Sequence, residues 1–296
     1  MPVRIGTRGS RLALAQAERV ASLLQGCGTA PEIVVITTKG DTVDGVPLHE
    51  IGGQGVFVRA LDDAILDGRI DAAVHSMKDI PAKRPAGLCT CAILKRDSPA
   101  DFLVHTIPRK EIRVIGTTST RRRAQLIRYM EGVSVKQLRG NVDTRLRKLA
   151  EGQYDAIVLA EAGLERLGLS VSGTRLSPQR FVPSPNQGTI AVVCRDEAPL
   201  CEVFAPLDHE QTRIDVQMER TVMEEVGGGC FTPQGIYAHH GHLIGEILSL
   251  DGMRRIRRED DVGSLEDART FGQYLRKEGE ELIREAYEKL RICDEG

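Results

Sequence analysis

The chain has 296 residues, a formal net charge of −2, 41% hydrophobic residues, no tryptophan and 4% aromatics. Its length exceeds what one compact core usually holds, so two or three domains are expected; the near-neutral charge and few aromatic side chains argue against nucleic-acid binding. No apolar run approaches a membrane span and MPVRIGTRGS lacks the apolar core of a signal peptide, so a cytoplasmic protein is expected.

VRIGT (3–7) reads as a strand. SRLALAQAERVASLLQ (10–25) places Leu12, Ala15, Val20, Leu23 and Leu24 at helical spacing. EIVVITT (32–38) is a second strand. The segment 41–55, with five glycines or prolines, reads as a mobile lid. VFVRALDDAILDG (56–68) is a helix with Phe57, Leu61 and Ile65 on one face and Gly68 as its stop, and IDAAV (70–74) is a third strand. This β-α-β-α-β order predicts a sheet with helical crossovers. The order then recurs: VIGTTSTRRRAQL (114–126) echoes RIGTRGSRLALAQ (4–16), and GQYDAIVLA (152–160) echoes GRIDAAVHS (68–76). Between them lie VSVKQL, a strand, and VDTRLRKLAEG, a helix. Two lobes of similar α/β design are expected.

LSPQRFVPSPNQG (176–188) is proline-rich and reads as a linker, followed by the strand TIAVVCR. From Asp208 the texture changes. Residues 210–229 form a long helix ending in three glycines, then come three strand-like runs and two helices over about 264–278 and 280–292. That predicts a small α+β third domain. RRIRR (254–258) reads as a solvated strand face.

Of the 40 basic residues 31 are arginine, and some cluster where chemistry is expected. Each IGT ends a strand and is followed at once by a helix, whose free N–H groups and dipole favour an anion. Arg8 and Arg11 lie at the first junction, and Arg121, Arg122 and Arg123 at the second. Arg139 lies at a further strand end and Arg145 on the next helix. A surface salt bridge would explain any one of these arginines; their repetition at strand-to-helix junctions predicts a multiply anionic ligand in a cleft between the lobes. HSMKDIP (75–81) puts Asp79 at a strand end among cations. A carboxylate there suits proton transfer or stabilisation of positive charge, and capping of the turn before Pro81 is the competing structural reading. His75 reads as a hydrogen-bonded structural residue. The seven cysteines (27, 89, 91, 194, 201, 230, 293) include no CxxC pair, so no metal site and no disulfide framework is expected. Cys230 stands in GGGCFTPQG, where the glycines leave room around a thiol; an inert small hydrophobe is the alternative.

Taken together, GTRGSRLALAQ, TTKGD, GGQGVFVRALDDAILDGRIDAAVHSMKDIP, RDSPADFLV, GTTSTRRRAQL, LRGNVDTRLRKL, YDAIVLAEAGLERLGL and PNQGTIAVVCR resemble, in order, the porphobilinogen deaminase (hydroxymethylbilane synthase) family. The match covers most of residues 4–195, with HSMKD and LRGNVDTR the most specific words, and continues at Gly228, Gly229, Cys230, Pro233 and Gly235. The resemblance implies two lobes like type II periplasmic binding proteins, residues 1–97 with 188–206 and residues 98–187, and a C-terminal α+β domain over 207–296. It implies a transferase that joins four porphobilinogen molecules head to tail on a covalent dipyrromethane cofactor, losing ammonia each time and releasing hydroxymethylbilane for tetrapyrrole biosynthesis. It assigns the cofactor thioether to Cys230, catalysis to Asp79, and cofactor contacts to Asp79, Lys78, Ser119, Arg121 and Arg122. Substrate contacts fall to Arg8, Ser10, Gln16, Arg139, Arg145 and Arg166. The expected partners are porphobilinogen and, for product hand-over, uroporphyrinogen-III synthase; a monomer is expected, with no nucleic acid and no membrane. Gln54 stands where the family commonly has lysine, and FTPQG departs from the usual run after the cysteine. A non-catalytic two-lobe receptor for a small anion is the rival reading, and it leaves Asp79 and Cys230 without a role.

Overall fold

The computed structural model describes residues 2–37, 56–81 and 84–290. The segment 41–55 read as a lid, with Gln54 in it, lies outside them. In chain order the elements begin with β1 (Val3–Thr7), α1 (Arg11–Gly26), β2 (Pro31–Val35), α2 (Val56–Leu66), β3 (Ala72–Ser76), β4 (Leu88–Ile93) and β5 (Asp101–His105). Next come β6 (Val114–Gly116), α3 (Thr120–Tyr129), β7 (Ser134–Lys136), α4 (Val142–Ala150), β8 (Ala156–Ala160), α5 (Glu161–Arg166) and β9 (Gly173–Leu176). The chain continues with β10 (Ile190–Arg195), α6 (Ala198–Phe204), α7 (Glu210–Val226), β11 (Gln234–His239), β12 (His242–Leu248), β13 (Arg255–Asp261) and α8 (Leu265–Leu290).

These elements form two compact units. The first comprises Met1–Asp97, Arg166–Gly168 and Gly188–Arg213; the second comprises Ser98–Glu165, Leu169–Gln187 and Ile214–Gly296. The first unit holds a five-stranded sheet in the order β2-β1-β3-β10-β4, and the second holds another in the order β7-β6-β8-β5-β9. In both, the first three strands are parallel and the last two ladders are antiparallel. The echo between the two halves of the sequence is therefore one motif built twice. The two IGT glycines are part of it. A Cβ at Gly6 would collide with Ile70, and one at Gly116 would meet Tyr154 at 2.9 Å and Leu138 at 3.0 Å.

In the first unit Ile5, Val74, Ala92 and Val192 pack with Val20 and Leu24 of α1 and Phe204 of α6. In the second, Leu103, Ile115 and Val158 pack with Leu126 of α3. The antiparallel meander β11-β12-β13 belongs to the second unit, and its core joins Ile236 and Ile247 to Val222 of α7 and Phe271 and Leu275 of α8.

Four expectations change. The strands β5 and β9 were not anticipated. The expected pair of closing helices is one helix, α8. Its Gly279 is not a break: a Cβ there would meet Ile247 at 2.7 Å, so the missing side chain lets the helix lie close on β12 while Leu275, Leu282 and Ile283 stay buried. The segment 176–188 is no linker, because Phe181, Val182, Asn186 and Gln187 are buried and Ile236 N–H donates to the Pro183 carbonyl at 3.0 Å. RRIRR is only partly solvated, since the largely covered Arg257 reaches the fully buried Glu246 at 3.3 Å.

Candidate active-site residues

At the first junction the Ser10 hydroxyl caps α1 by accepting from Ala13 N–H at 3.3 Å. Arg8 is half-buried just before it and Arg11 is exposed. Gln16, six positions after the cap, is buried and donates its amide to Ser76 Oγ at 2.9 Å. Gln16 thus acts on the strand end that carries HSMKD. β3 runs through His75 to Ser76, two residues beyond the expected end, and Met77–Asp79 then form one 3-10 turn. Met77 and Ile80 are buried on either side of it, and Met77 N–H donates to the Thr189 carbonyl at 2.9 Å. With both flanks pinned, the turn leaves Lys78 half-buried and Asp79 exposed. Burial, reinforced by Arg84 and Arg8, drives the buried His75 down to a pKa of about 3, so it is a neutral imidazole beneath this turn.

Arg166 also belongs to the first unit. Its Nε donates to Asp97 at 2.8 Å and an Nη to the Gly188 carbonyl at 2.7 Å, while Arg19 holds the other Asp97 oxygen at 2.7 Å. Arg166 and Leu167 line an open cleft of about 420 Å³ with Gly9, Arg11, Leu14 and Glu18 at the start of α1.

At the second junction Ser119 caps α3 by accepting from Arg122 N–H at 3.3 Å. Arg121 and Arg122 fall in the first turn, where the helix dipole disfavours a cation. Both are buried. Asp101, fully buried at the start of β5, offsets them: Arg121 reaches it at 2.9 Å and Arg122 at 2.7 Å. Burial by itself would raise the Asp101 carboxyl, but the two guanidiniums outweigh it and hold it well below the usual carboxylate range. Arg121 also donates to the Val182 carbonyl and Arg122 to that of Val158. Arg145 donates to the Gly140 carbonyl at 2.7 Å, and no carboxylate pairs with it among the described residues. Burial, then the like charge of Arg122, lowers its pKa to about 10. Arg139 is exposed, between β7 and the Asn141 cap of α4, and Arg123 is exposed on α3. The second unit therefore holds two buried guanidiniums on Asp101 and a third, half-buried one whose charge is felt by Arg122 rather than by a carboxylate.

Cys230 lies in the 3-10 turn Gly229–Phe231 after α7. The preceding Gly227, Gly228 and Gly229 have φ of 66°, 77° and 53°, a left-handed run that only glycine adopts without strain. Thr232 Oγ donates to the Gly228 carbonyl at 2.8 Å and closes the loop.

The sequence reading missed Asp97 and Asp101, which govern Arg166 and the Arg121–Arg122 pair. Both stand in RDSPADFLV, a stretch whose only visible signal was the resemblance. No helix among the described residues is long and apolar enough to cross a membrane.

Fold and sites together define an α/β protein with one sheet motif used twice, each copy with a capped helix start beside basic side chains. Residues 3–202 match the family described as "Porphobilinogen deaminase, dipyromethane cofactor binding domain", and residues 214–281 match "Porphobilinogen deaminase, C-terminal domain". The chain is 49% identical to the "Probable porphobilinogen deaminase" of Methanosarcina acetivorans, over 95% of this chain and 93% of that one. It is 44% identical to the "Porphobilinogen deaminase" of Nitratidesulfovibrio vulgaris, over 86% of this chain and 84% of that one. Among solved structures, a periplasmic substrate-binding protein of an ABC transporter from Coxiella burnetii aligns with a TM-score of 0.43 at 15% identity, over 69% of this chain and 91% of that one. The chain belongs to the porphobilinogen deaminase family, an enzyme family of the transferase class.

The family's dipyrromethane cofactor carries acetate and propionate groups. The donors of the second unit fit it: the cations around Asp101 outnumber the carboxylate, and Arg145 is a half-buried cation in want of an anion.

Proposed function

We propose that the chain is a hydroxymethylbilane synthase, which joins four porphobilinogen molecules head to tail and releases ammonia at each addition. The observation that carries this reading is the Met77–Asp79 turn, which holds Asp79 exposed at a strand end between two buried anchors in a chain of this family. Departure of ammonia leaves positive charge on a pyrrole. Asp79 offsets that charge, and its carboxylate accepts the proton that the joined pyrrole gives up. Cys230 holds the dipyrromethane through a thioether, and that group supplies the growing end of the chain when bound. Ser119, Arg121, Arg122 and Lys78 bind its carboxylates. Arg8, Ser10, Arg139, Arg145 and Arg166 receive those of the substrate. Gln16 acts through Ser76, holding the strand end from which Asp79 projects. This reading makes the enzyme a cytoplasmic monomer of three domains, with boundaries near residues 97, 187 and 207, that hands its product to uroporphyrinogen-III synthase.

Intact mass and turnover test it. The wild type should weigh the polypeptide plus two linked pyrrole units and release ammonia from porphobilinogen. Cys230→Ala should show the bare polypeptide mass and no turnover, while Cys27→Ala keeps the adduct. Asp79→Asn, at an exposed position, should keep wild-type stability and the adduct yet lose about 100-fold or more in turnover. Near-normal turnover in Asp79→Asn would remove it from the mechanism, and an adduct surviving in Cys230→Ala would overturn the anchor.

A further inference from the structure

Away from these residues, the first unit brings three sulfurs together. Cys89 on β4 and Cys194 on β10 face one another across the antiparallel ladder. Cys201, on α6, closes over them. The Sγ separations are 3.3 Å for Cys89–Cys201, 3.7 Å for Cys89–Cys194 and 3.8 Å for Cys194–Cys201. Cys91, two residues along β4 from Cys89, touches the Cys194 thiol and donates to the Val192 carbonyl at 3.3 Å.

Those separations are close to what a metal requires. With zinc–sulfur bonds of about 2.3 Å in tetrahedral geometry, neighbouring sulfurs lie ~3.8 Å apart. Two of the three pairs already match, and the third needs to open by about half an ångström. The ligands come from three elements already fixed by the sheet and its covering helix, so little chain entropy remains to be lost on binding. Cys194 is fully buried, while Cys89 and Cys201 are half-buried and give an ion a way in.

We propose that Cys89, Cys194 and Cys201 form a three-thiolate site for a thiophilic divalent cation, with Zn²⁺ the best fit, which ties β4, β10 and α6 together. Each thiol loses its proton as its sulfur binds, so one Zn²⁺ displaces three protons, and the fourth position is open to water. All three thiols must be deprotonated to bind, so affinity climbs with pH. The absence of a CxxC pair concealed the site, because Cys89 meets Cys194 through strand pairing across 105 residues and Cys201 across 112 through a helix laid over the strands.

The test uses the full-length, reduced holoenzyme, stripped of metal and titrated with Zn²⁺ against a chromophoric chelator. One equivalent should bind, release protons, protect Cys89 and Cys201 from a thiol reagent and raise the thermal midpoint. Cys201→Ser and Cys89→Ser should each lose that equivalent and the midpoint shift, and Cys27→Ser should keep both. Should either variant fail to fold, Cd²⁺ titration of the wild type, read by thiolate-to-metal charge transfer, decides the same question. Zn²⁺ binding that persists in Cys201→Ser, no equivalent in the wild type, or formation of a Cys89–Cys201 disulfide in place of metal uptake would overturn the proposal.

Discussion

The β1–α1 and β6–α3 junctions share a backbone and differ in what the helix carries. Aligned on their serine caps, Ser10 and Ser119, both helices place a buried glutamine six positions on, Gln16 and Gln125. The second and third helical positions are Leu12 and Ala13 in one, Arg121 and Arg122 in the other. The first junction keeps only these two positions apolar, with Arg8 before the helix and Arg11, exposed, at its first position. The second forces two guanidiniums into a buried first turn and requires Asp101 to hold them. One scaffold can thus carry an uncharged helix start or a pair of buried cations, depending on a buried counter-ion from a distant strand. The glutamines show the same divergence: Gln16 donates to Ser76, whereas Gln125 donates to the Val182 carbonyl at 2.8 Å and to Glu246 at 2.5 Å.

The comparison breaks hardest at Asp101. Asp101→Asn leaves two buried guanidiniums without a carboxylate and should cost about 3–5 kcal/mol in denaturant unfolding. Loss of the polar partner at the first junction is milder. Ser76→Ala leaves the buried Gln16 amide short of an acceptor and should cost about 1–3 kcal/mol. An equal loss at both junctions would contradict the idea that only the second depends on charge.

Acid should separate the two units. His75 titrates at about 3 in the fold against 6.5 when exposed, so below pH 6.5 the unfolded chain binds a proton that the native state refuses. Stability therefore falls as pH drops from 6.5 toward 3, and His75→Gln should flatten that slope. Asp101 has a depressed carboxyl, so its contribution is complete above the ordinary 3.8 and is lost only as pH falls further. Hydrogen exchange against pH should show the first unit loosening before the second.

The caps should be alike. Ser10→Ala and Ser119→Ala should each cost about 1 kcal/mol, because each removes one acceptor from a helix start. Arg145→Leu should have the smallest effect on stability, within about 0.5 kcal/mol or slightly favourable, since a half-buried cation without a carboxylate gains little from folding. Its effect belongs to the substrate reading: the KM for porphobilinogen should rise, while the cofactor adduct seen by intact mass is kept. A large destabilisation would mean that Arg145 is structural.

Periodicity and turn chemistry were local properties, and the sequence by itself determined what depends on them: β1, α1, the HSMKD turn, α3, α4, the glycine run before Cys230 and the repetition of one motif. The tertiary structure alone decided what depends on distant segments meeting. β5 is a short strand with weak alternation, and it exists because β8 offers a ladder for it. Gly279 looked like a helix break until Ile247 was seen to occupy the space of its missing side chain. Asp97 and Asp101 carried no signal of their own in the sequence, because a covered acid is tolerable only when opposite charge arrives from elsewhere, here from Arg19 and Arg166 and from Arg121 and Arg122. Cys89, Cys194 and Cys201 carry no motif in one dimension; their sulfurs become neighbours only when an antiparallel strand pairs beside β4 and a helix folds over both.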